Sequence, residues 1–429
     1  MAKRIVVLSA DAMVYEDLAY LKTLPNFKRC LEGGAEIKSV RSIYPTVTYP
    51  AHTTMASGTF PAKHGIVNNY ELHPGNLAPP WYWFHDAVKV KDIFDAAKKA
   101  GLFTAGVFWP VTGNHPSIDY LIPEYWTQGN SDTMEAAFSR AGSKPEMIRL
   151  LAKYFPDIKE RVHPSVDYMA IGCACDIIRL YKPQLLMIHP ANIDGARHDY
   201  GLFNEKVDKA IEETDAWIGQ LMDALEDAGV HDETNFFLVS DHGQLDIDRA
   251  INVNVMLADW GLIRTDKEGN IADWDAYSLS SGMSAMVYLK ESENHKVYQK
   301  VHALLRHLCS EGIYGISRVF TEAEARAEEG LGGSFSFVLE TDGYTSFGDD
   351  WKRPIVKNYD ASDYRYGRAT HGYLPDKGPQ PILIAKGPDI KKGVSLEKAR
   401  LIDEAPTYAK ILGVELPDAQ GRVIEGILV

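Results

Sequence analysis

Cysteine is scarce in this chain: four in 429 residues, at Cys30, Cys173, Cys175 and Cys309. Cys173 and Cys175 lie too close together for a CxxC zinc pair, and there is no second pair. The thiols therefore read as small buried or half-buried side chains in a reducing compartment. Long apolar runs are missing too, and none approaches the roughly 20 residues of a membrane span. The first apolar stretch, after Arg4, stops at Asp11, short of the about 7–15 residues of a signal-peptide core. It reads as a first β-strand, and the expected location is cytoplasmic. Positive charge is in deficit, with 45 Lys and Arg against 59 Asp and Glu, a net −14. That balance argues against a nucleic-acid polymer or an anionic membrane as main partner. A small phosphorylated substrate stays compatible, because divalent ions reverse the potential locally. Repeats, low-complexity tracts and disordered linkers are lacking.

What is present is an alternation of strand and helix signals. Apolar, β-branched runs occur at Ile5–Leu8, Phe103–Phe108, Leu185–Ile188, Phe236–Val239 and Ile382–Ile384. Helical periodicity is clearest over Lys206–Ala228, where Gly229 supplies a stop, and a shorter helix fits Asp92–Ala100. Such alternation predicts an α/β fold: a mostly parallel central sheet with helices on both faces. Two stretches interrupt it. Residues 114–166, rich in Pro, Gly and aromatics, read as an insertion over the active edge. Residues 284–364 read as an inserted small α+β lobe, leaving 1–283 and 365–429 as the core.

Ligands in such a fold bind beyond the carboxyl ends of the strands. Asp11, Asp194 and the pair Asp241-His242 each follow a predicted strand. His198 is four residues after Asp194, on the same face of a helix. His371 lies in a Thr-His-Gly turn. Three carboxylates and three imidazoles suffice for two Zn²⁺-like ions with three protein ligands each. Taken singly, each has a plainer reading: Asp194 as an N-cap with His198 at the surface, Asp241 as a turn residue, His371 as a loop histidine. His85, His115, His163, His231, His295, His302 and His307 read as surface or packing residues.

Around Thr48, Pro50 suits a first helical position and Gly58 an end, which places Thr48 just before a helix N-terminus that favours a phosphoryl anion. Next to a divalent ion its hydroxyl becomes a feasible nucleophile; alone, it reads equally as an N-cap. Asn69 offers an amide donor to a non-bridging phosphoryl oxygen.

In chain order these segments are the strand ending at Asp11, Pro45-Thr-Val-Thr48-Tyr-Pro-Ala-His52, and Gly58-Thr-Phe-Pro-Ala-Lys-His-Gly-Ile-Val-Asn-Asn69. There follow Phe108-Trp-Pro110, Asp194-x-x-x-His198, Ser240-Asp-His-Gly243, His371-Gly372 and Asp403-Glu-Ala-Pro-Thr407. The ordered set resembles the type I phosphodiesterase/nucleotide pyrophosphatase branch of the alkaline phosphatase superfamily. The resemblance implies an alkaline-phosphatase-like sandwich and a di-zinc hydrolase of phosphodiester or phosphoanhydride bonds, other divalent ions also fitting these ligands. It implies one zinc on Asp194, His198 and His371, another on Asp11, Asp241 and His242, and Thr48 as ligand and nucleophile beside Asn69. In-line attack by Thr48 would give a phosphothreonine, cleared by metal-bound hydroxide. The chain departs from the family at Ala12, where Gly is usual, and at Ala51, where Asn is common. Tyr49 stands where the family's base-stacking aromatic would, and Trp109 joins it as a substrate-binding candidate.

A sulfatase is a poor fit, since Thr48-Tyr-Pro-Ala-His52 lacks both the formylglycine precursor and the arginine. A phosphonoacetate hydrolase, cleaving C–P with the same site, is the main alternative, with Lys89 and Lys91 to hold the substrate carboxylate. A catalytically silent metal-bound binding protein is the second. The expected partner is a small phosphorylated or phosphonate substrate.

Overall fold

The computed structural model describes residues 3–360 and 362–429. Its central sheet has eight strands: β1 (Arg4–Ser9), β2 (Ala35–Arg41), β3 (Thr104–Val107), β4 (Tyr120–Ile122), β5 (Leu185–Ile188), β6 (Thr234–Val239), β7 (Leu383–Lys386) and β8 (Val394–Arg400). Across the sheet they run β8-β2-β7-β6-β1-β5-β3-β4. All neighbouring pairs are parallel except those of β7, which is antiparallel to both β2 and β6.

The continuous apolar runs of the central strands are explained by burial on both faces. Ile5 and Val7 of β1, Leu185 and Met187 of β5, and Phe237 and Val239 of β6 enter one core. Val6, Leu8, Leu186, Ile188, Phe236 and Leu238 alternate into the other. The first core is closed by α1 (Thr48–Ser57) and by α5 (Glu404–Leu412), the second by α2 (Ser165–Tyr181) and α4 (Glu205–Asp227). A short α3 (Asn192–Tyr200) follows β5. The helix expected at Lys206–Ala228 is α4, capped by Asn204, with Gly229 in the left-handed conformation just beyond it.

After β1 the chain places β2 on the β6 side and β3 on the β5 side. The crevice outside the carboxyl ends of β5, β1 and β6 is therefore the switch point where open α/β sheets bind ligands. Asp11, His189 and Asp241 all stand there.

Both stretches expected as insertions share their apolar cores with other parts of the chain. Much of 114–166 is integral to the main core: Ile122, Phe138, Met147, Leu150 and Leu151 pack with β1 and α2. In the second lobe, the antiparallel sheet starts at Ala276–Ser280, ahead of 284, and continues through Ser284–Leu289, Phe337–Thr341 and Ile316–Thr321. Its core reaches back to Ile251 and also takes in Tyr44 and Val67 from the segments that carry Thr48 and Asn69. Apolar burial, not chain continuity, sets the boundary.

Two buried details tie the ligand segments together. Arg197 of α3, fully buried, donates from Nη2 to both oxygens of Asp17 at 2.6 and 2.7 Å. Burial holds the Asp17 carboxyl above its ordinary range despite Arg197 and the Val14 N–H. Ala12 follows Asp11 with φ +59°, in the left-handed region, and donates its N–H to Asp241 Oδ1 at 3.3 Å. That conformation favours glycine, and Ala12 carries strain of about 1–2 kcal/mol in adopting it.

Removing the guanidinium leaves Asp17 buried and unpaired, so Arg197→Ala should cost about 3–5 kcal/mol by denaturant unfolding. Ala12→Gly relieves strain but loses a buried methyl and loosens the unfolded chain. It should fall within about 0.5 kcal/mol of the parent, whereas Ala105→Gly, in regular strand, should cost about 1.5 kcal/mol. Equal losses for the two alanine variants would remove the strain argument.

Candidate active site

The predicted ligand segments converge. On α3, Asp194 and His198 are one turn apart, and His198 Nε2 lies 3.1 Å from Asp194 Oδ2. His198 Nδ1 points at the Ala369 carbonyl, 2.7 Å away, which leaves Nε2 as the nitrogen available to a metal ion. His371 Nε2 is 4.0 Å from Asp194 Oδ1. The turn after it requires glycine: Gly372 has φ +104°, and a Cβ there would collide with the Ser281 carbonyl. Past β6, His242 Nε2 lies 3.1 Å from Asp241 Oδ2 and 3.6 Å from Asp11 Oδ1. The groups touch, because ligand atoms of Asp194 come within 4.8 Å of those of Asp11 and His242 as well as those of His198 and His371.

The donor set fits divalent cations. Asp11 Oδ1, Asp241 Oδ2, His198 Nε2, His242 Nδ1 and His371 Nδ1 are covered atoms with no hydrogen-bond partner among the described residues, an arrangement that is costly unless something else completes it. Burial, and then the charge of Asp194, pushes Asp11 well above the usual carboxylate range. Burial and the charge of Asp11 push Asp241 up to about 7. Burial would raise Asp194 as well, but His198, His371 and His242 together hold it well below. Burial disfavours a charged His198, yet Asp194 outweighs it and keeps the imidazole above its ordinary value. Burial, and then His242, hold His371 well below it.

Thr48 is the first residue of α1, and the N-cap is Val47, which has no side-chain capping bond. The plain N-cap reading of Thr48 therefore does not apply. Its Oγ1 lies 3.2 Å from His242 Nε2. The expected row of free helix N–H groups is a correction: Tyr49 N–H is taken by Asn69 Oδ1 at 2.8 Å, and Pro50 has none. Asn69 is thus oriented by the helix it caps, with Nδ2 3.4 Å from the Tyr364 hydroxyl. Thr48, Tyr49 and Asn69 line a cavity of about 670 Å³ together with Asp11, Asp194, His198 and His371.

Other candidates lie elsewhere. Trp109 is buried behind the site, edge-on to His52 at 4.7 Å between ring centres, and packs in the core. Lys89 and Lys91 are solvent-exposed and outside the cavity wall, with Lys91 Nζ 3.5 Å from Asp95. The cations that do line the cavity are Arg161, His163, Lys206 and Lys209. His163, expected at the surface or in packing, pairs with Asp167 at 2.6 Å; against the effect of burial, that carboxylate takes it up to about 8.

Sequence reading also missed residues that contact the candidate ligands. His189 Nε2 meets Asp11 Oδ2 at 2.9 Å and stands directly after β5, so the strand-end rule that found Asp11 applies to it. Gln244 Nε2 meets Asp194 Oδ1 at 2.5 Å, two residues after His242. Tyr364 stacks on His371 at 5.4 Å, and no local pattern marks it.

The family model of type I phosphodiesterase / nucleotide pyrophosphatase matches residues 5–374. The human ectonucleotide pyrophosphatase/phosphodiesterase family member 1 is 27% identical over 234 residues, which is 52% of this chain and 21% of that protein. Venom phosphodiesterase 2 of Crotalus adamanteus is 25% identical over 234 residues, 52% of this chain and 24% of its own length. The matched stretch is thus less than a quarter of either relative. Among solved structures, murine ectonucleotide pyrophosphatase / phosphodiesterase 5, in an inactive form complexed with AMP, superposes with a TM-score of 0.68. It is 19% identical, and the match covers 100% of both chains, a likeness of fold. With the family model running from β1 past His371, this chain belongs to the type I phosphodiesterase/nucleotide pyrophosphatase family.

Proposed function

We propose that the chain is a di-zinc hydrolase of phosphodiester or phosphoanhydride bonds in small substrates, with Thr48 as nucleophile. The observation that carries this reading is the place of Thr48 Oγ1, on the cavity wall 3.2 Å from His242 Nε2, where the two ligand groups meet. Asp194, His198 and His371 would hold one divalent ion and Asp11, Asp241 and His242 the other; when bound, these ions supply Lewis acidity and neutralise phosphoryl charge.

The chain's own residues do the rest. Thr48 Oγ forms a bond to phosphorus as the bond from phosphorus to the leaving oxygen breaks, and water then hydrolyses the phosphothreonine. Asn69, fixed through Tyr49 N–H, presents its amide to a non-bridging oxygen. His189 and Gln244 hold Asp11 and Asp194 in orientation. Arg161, Lys206 and Lys209 give the cavity a cationic flank for an anionic substrate. AMP, the ligand of the murine neighbour, is a suitable product, from a nucleotide diester or pyrophosphate. The phosphonoacetate alternative loses support, because Lys89 and Lys91 lie outside the cavity.

Thr48→Ala should keep about two zinc per chain by elemental analysis and lose hydrolysis of p-nitrophenyl phosphodiesters. Unchanged turnover would sink the nucleophile assignment; loss of both metals in the variant would make Thr48 structural. Zinc affinity should also depend on pH, because Asp241, raised to about 7, and His198, also raised, must both give up protons to become ligands. Calorimetry should therefore show tighter binding at pH 8 than at pH 6, with proton release greatest at the acid end. A flat affinity over that range contradicts the assignment.

A further inference from the structure

Three carboxylates on the cavity wall, Glu124, Asp199 and Glu213, belong to neither candidate cation group there and to no ion pair of the described residues, and of these Glu124 is the one with a covered oxygen lacking a partner among the described residues. It stands two residues past β4, at the same carboxyl edge of the sheet as Asp11 and Asp241. Its Oε2 is covered and has no hydrogen-bond partner. The hydroxyl of Tyr49, which faces it, is likewise covered and without a partner of proper geometry. A carboxylate on a cavity wall with no ion-pair partner is unfavourable in the empty site and becomes favourable when the positive charge or donor edge of a ligand meets it.

The surroundings define what that ligand presents. Tyr49 follows Thr48 directly, and its ring is edge-on to Trp81 at 5.2 Å. Trp83, Trp126 and Tyr364 line the same cavity. Aromatic faces beside a lone carboxylate suit a flat ring with N–H or O–H donors at its rim, or an ammonium group held by ring faces and counter-charge. Arg161, Lys206 and Lys209, by contrast, suit anionic parts of a substrate.

We propose that Glu124 is a specificity-determining residue: it receives the electropositive edge of the organic group esterified to phosphorus, so that the preferred substrates carry a donor-bearing or ammonium-bearing group there. This rests on the preceding reading only in placing the phosphoryl group over Thr48. A nucleoside and an ammonium headgroup share this chemistry, and the two are separable by experiment.

The test is calorimetric titration of AMP, phosphocholine and inorganic phosphate into the zinc-loaded full chain, parent and Glu124→Gln. Gln keeps the shape and removes the charge. AMP or phosphocholine should bind at least about tenfold more weakly to the variant, and phosphate should change by less than about twofold. Loss confined to AMP identifies a nucleoside donor, and loss confined to phosphocholine an ammonium group. Equal weakening of all three ligands, or of none, overturns the proposal. Where Glu124→Gln fails to melt cooperatively, Glu124→Asp, which withdraws the charge by one methylene, should show the same selective loss, and an unselective pattern there overturns it equally. If AMP or phosphocholine binds through Glu124 while no diester or pyrophosphate is hydrolysed, the hydrolase reading fails and the subsite stands. If diesters are hydrolysed but the variant discriminates nothing, the subsite fails alone.

Discussion

Three carboxylates, Asp11, Asp194 and Asp241, converge at the largely buried floor of the cavity, and the need to balance their charge organises the rest of the site. Burial drives Asp11 and Asp241 upward in pKa, while the imidazoles around Asp194 drive it down. Protons and imidazolium can neutralise such a group only in part and only in acid. Divalent cations do so at neutral pH, and the covered atoms of Asp11, Asp241 and His198 without a partner among the described residues are among those such ions would engage. The scaffold tolerates this crowding because each segment is fastened away from the charge. Asp11 and Asp241 leave neighbouring strands of one sheet, and α3 is clamped by the Arg197–Asp17 pair.

Much of this was legible in the chain because it obeys local rules. Runs such as Ile5–Leu8 and Phe236–Val239 marked strands buried on both faces, and the rule that ligands gather past strand ends then selected Asp11, Asp194 and Asp241-His242. The i, i+4 spacing of Asp194 and His198 correctly implied a shared helix face. His189 obeys the same strand-end rule, although no motif contains it.

What was not legible depends on contacts between distant segments. The start of α1 at Thr48 follows from a cap supplied by Asn69, twenty-one residues away, which no rule of local capping detects. Lys89 and Lys91 looked like substrate lysines from their types alone, but a lysine's direction is decided by its distant neighbours, and here the stem of Lys89 lies against Gly65 while the exposed Lys91 reaches Asp95. Glu124, Trp81, Lys206 and Tyr364 reach one cavity from four separate stretches, each with an ordinary local sequence.

The second lobe does not fold around itself alone. Tyr44, four residues before Thr48, is buried in its core with its ring 6.0 Å from Phe320, and Val67, two residues before Asn69, is buried there as well. Asn68 reaches across to the Ser280 carbonyl at 3.0 Å. The lobe is thus part of the mould that shapes the loops bearing Thr48 and Asn69. Exchanging it for the corresponding piece of a relative would transplant half of that mould, and a chimera would have to bring Tyr44 and Val67 with it or rebuild their seat. Divergence in the lobe is then bounded by the hydroxyl and amide it supports from a distance, and a surface far from the cavity inherits the constraints of the chemistry inside it.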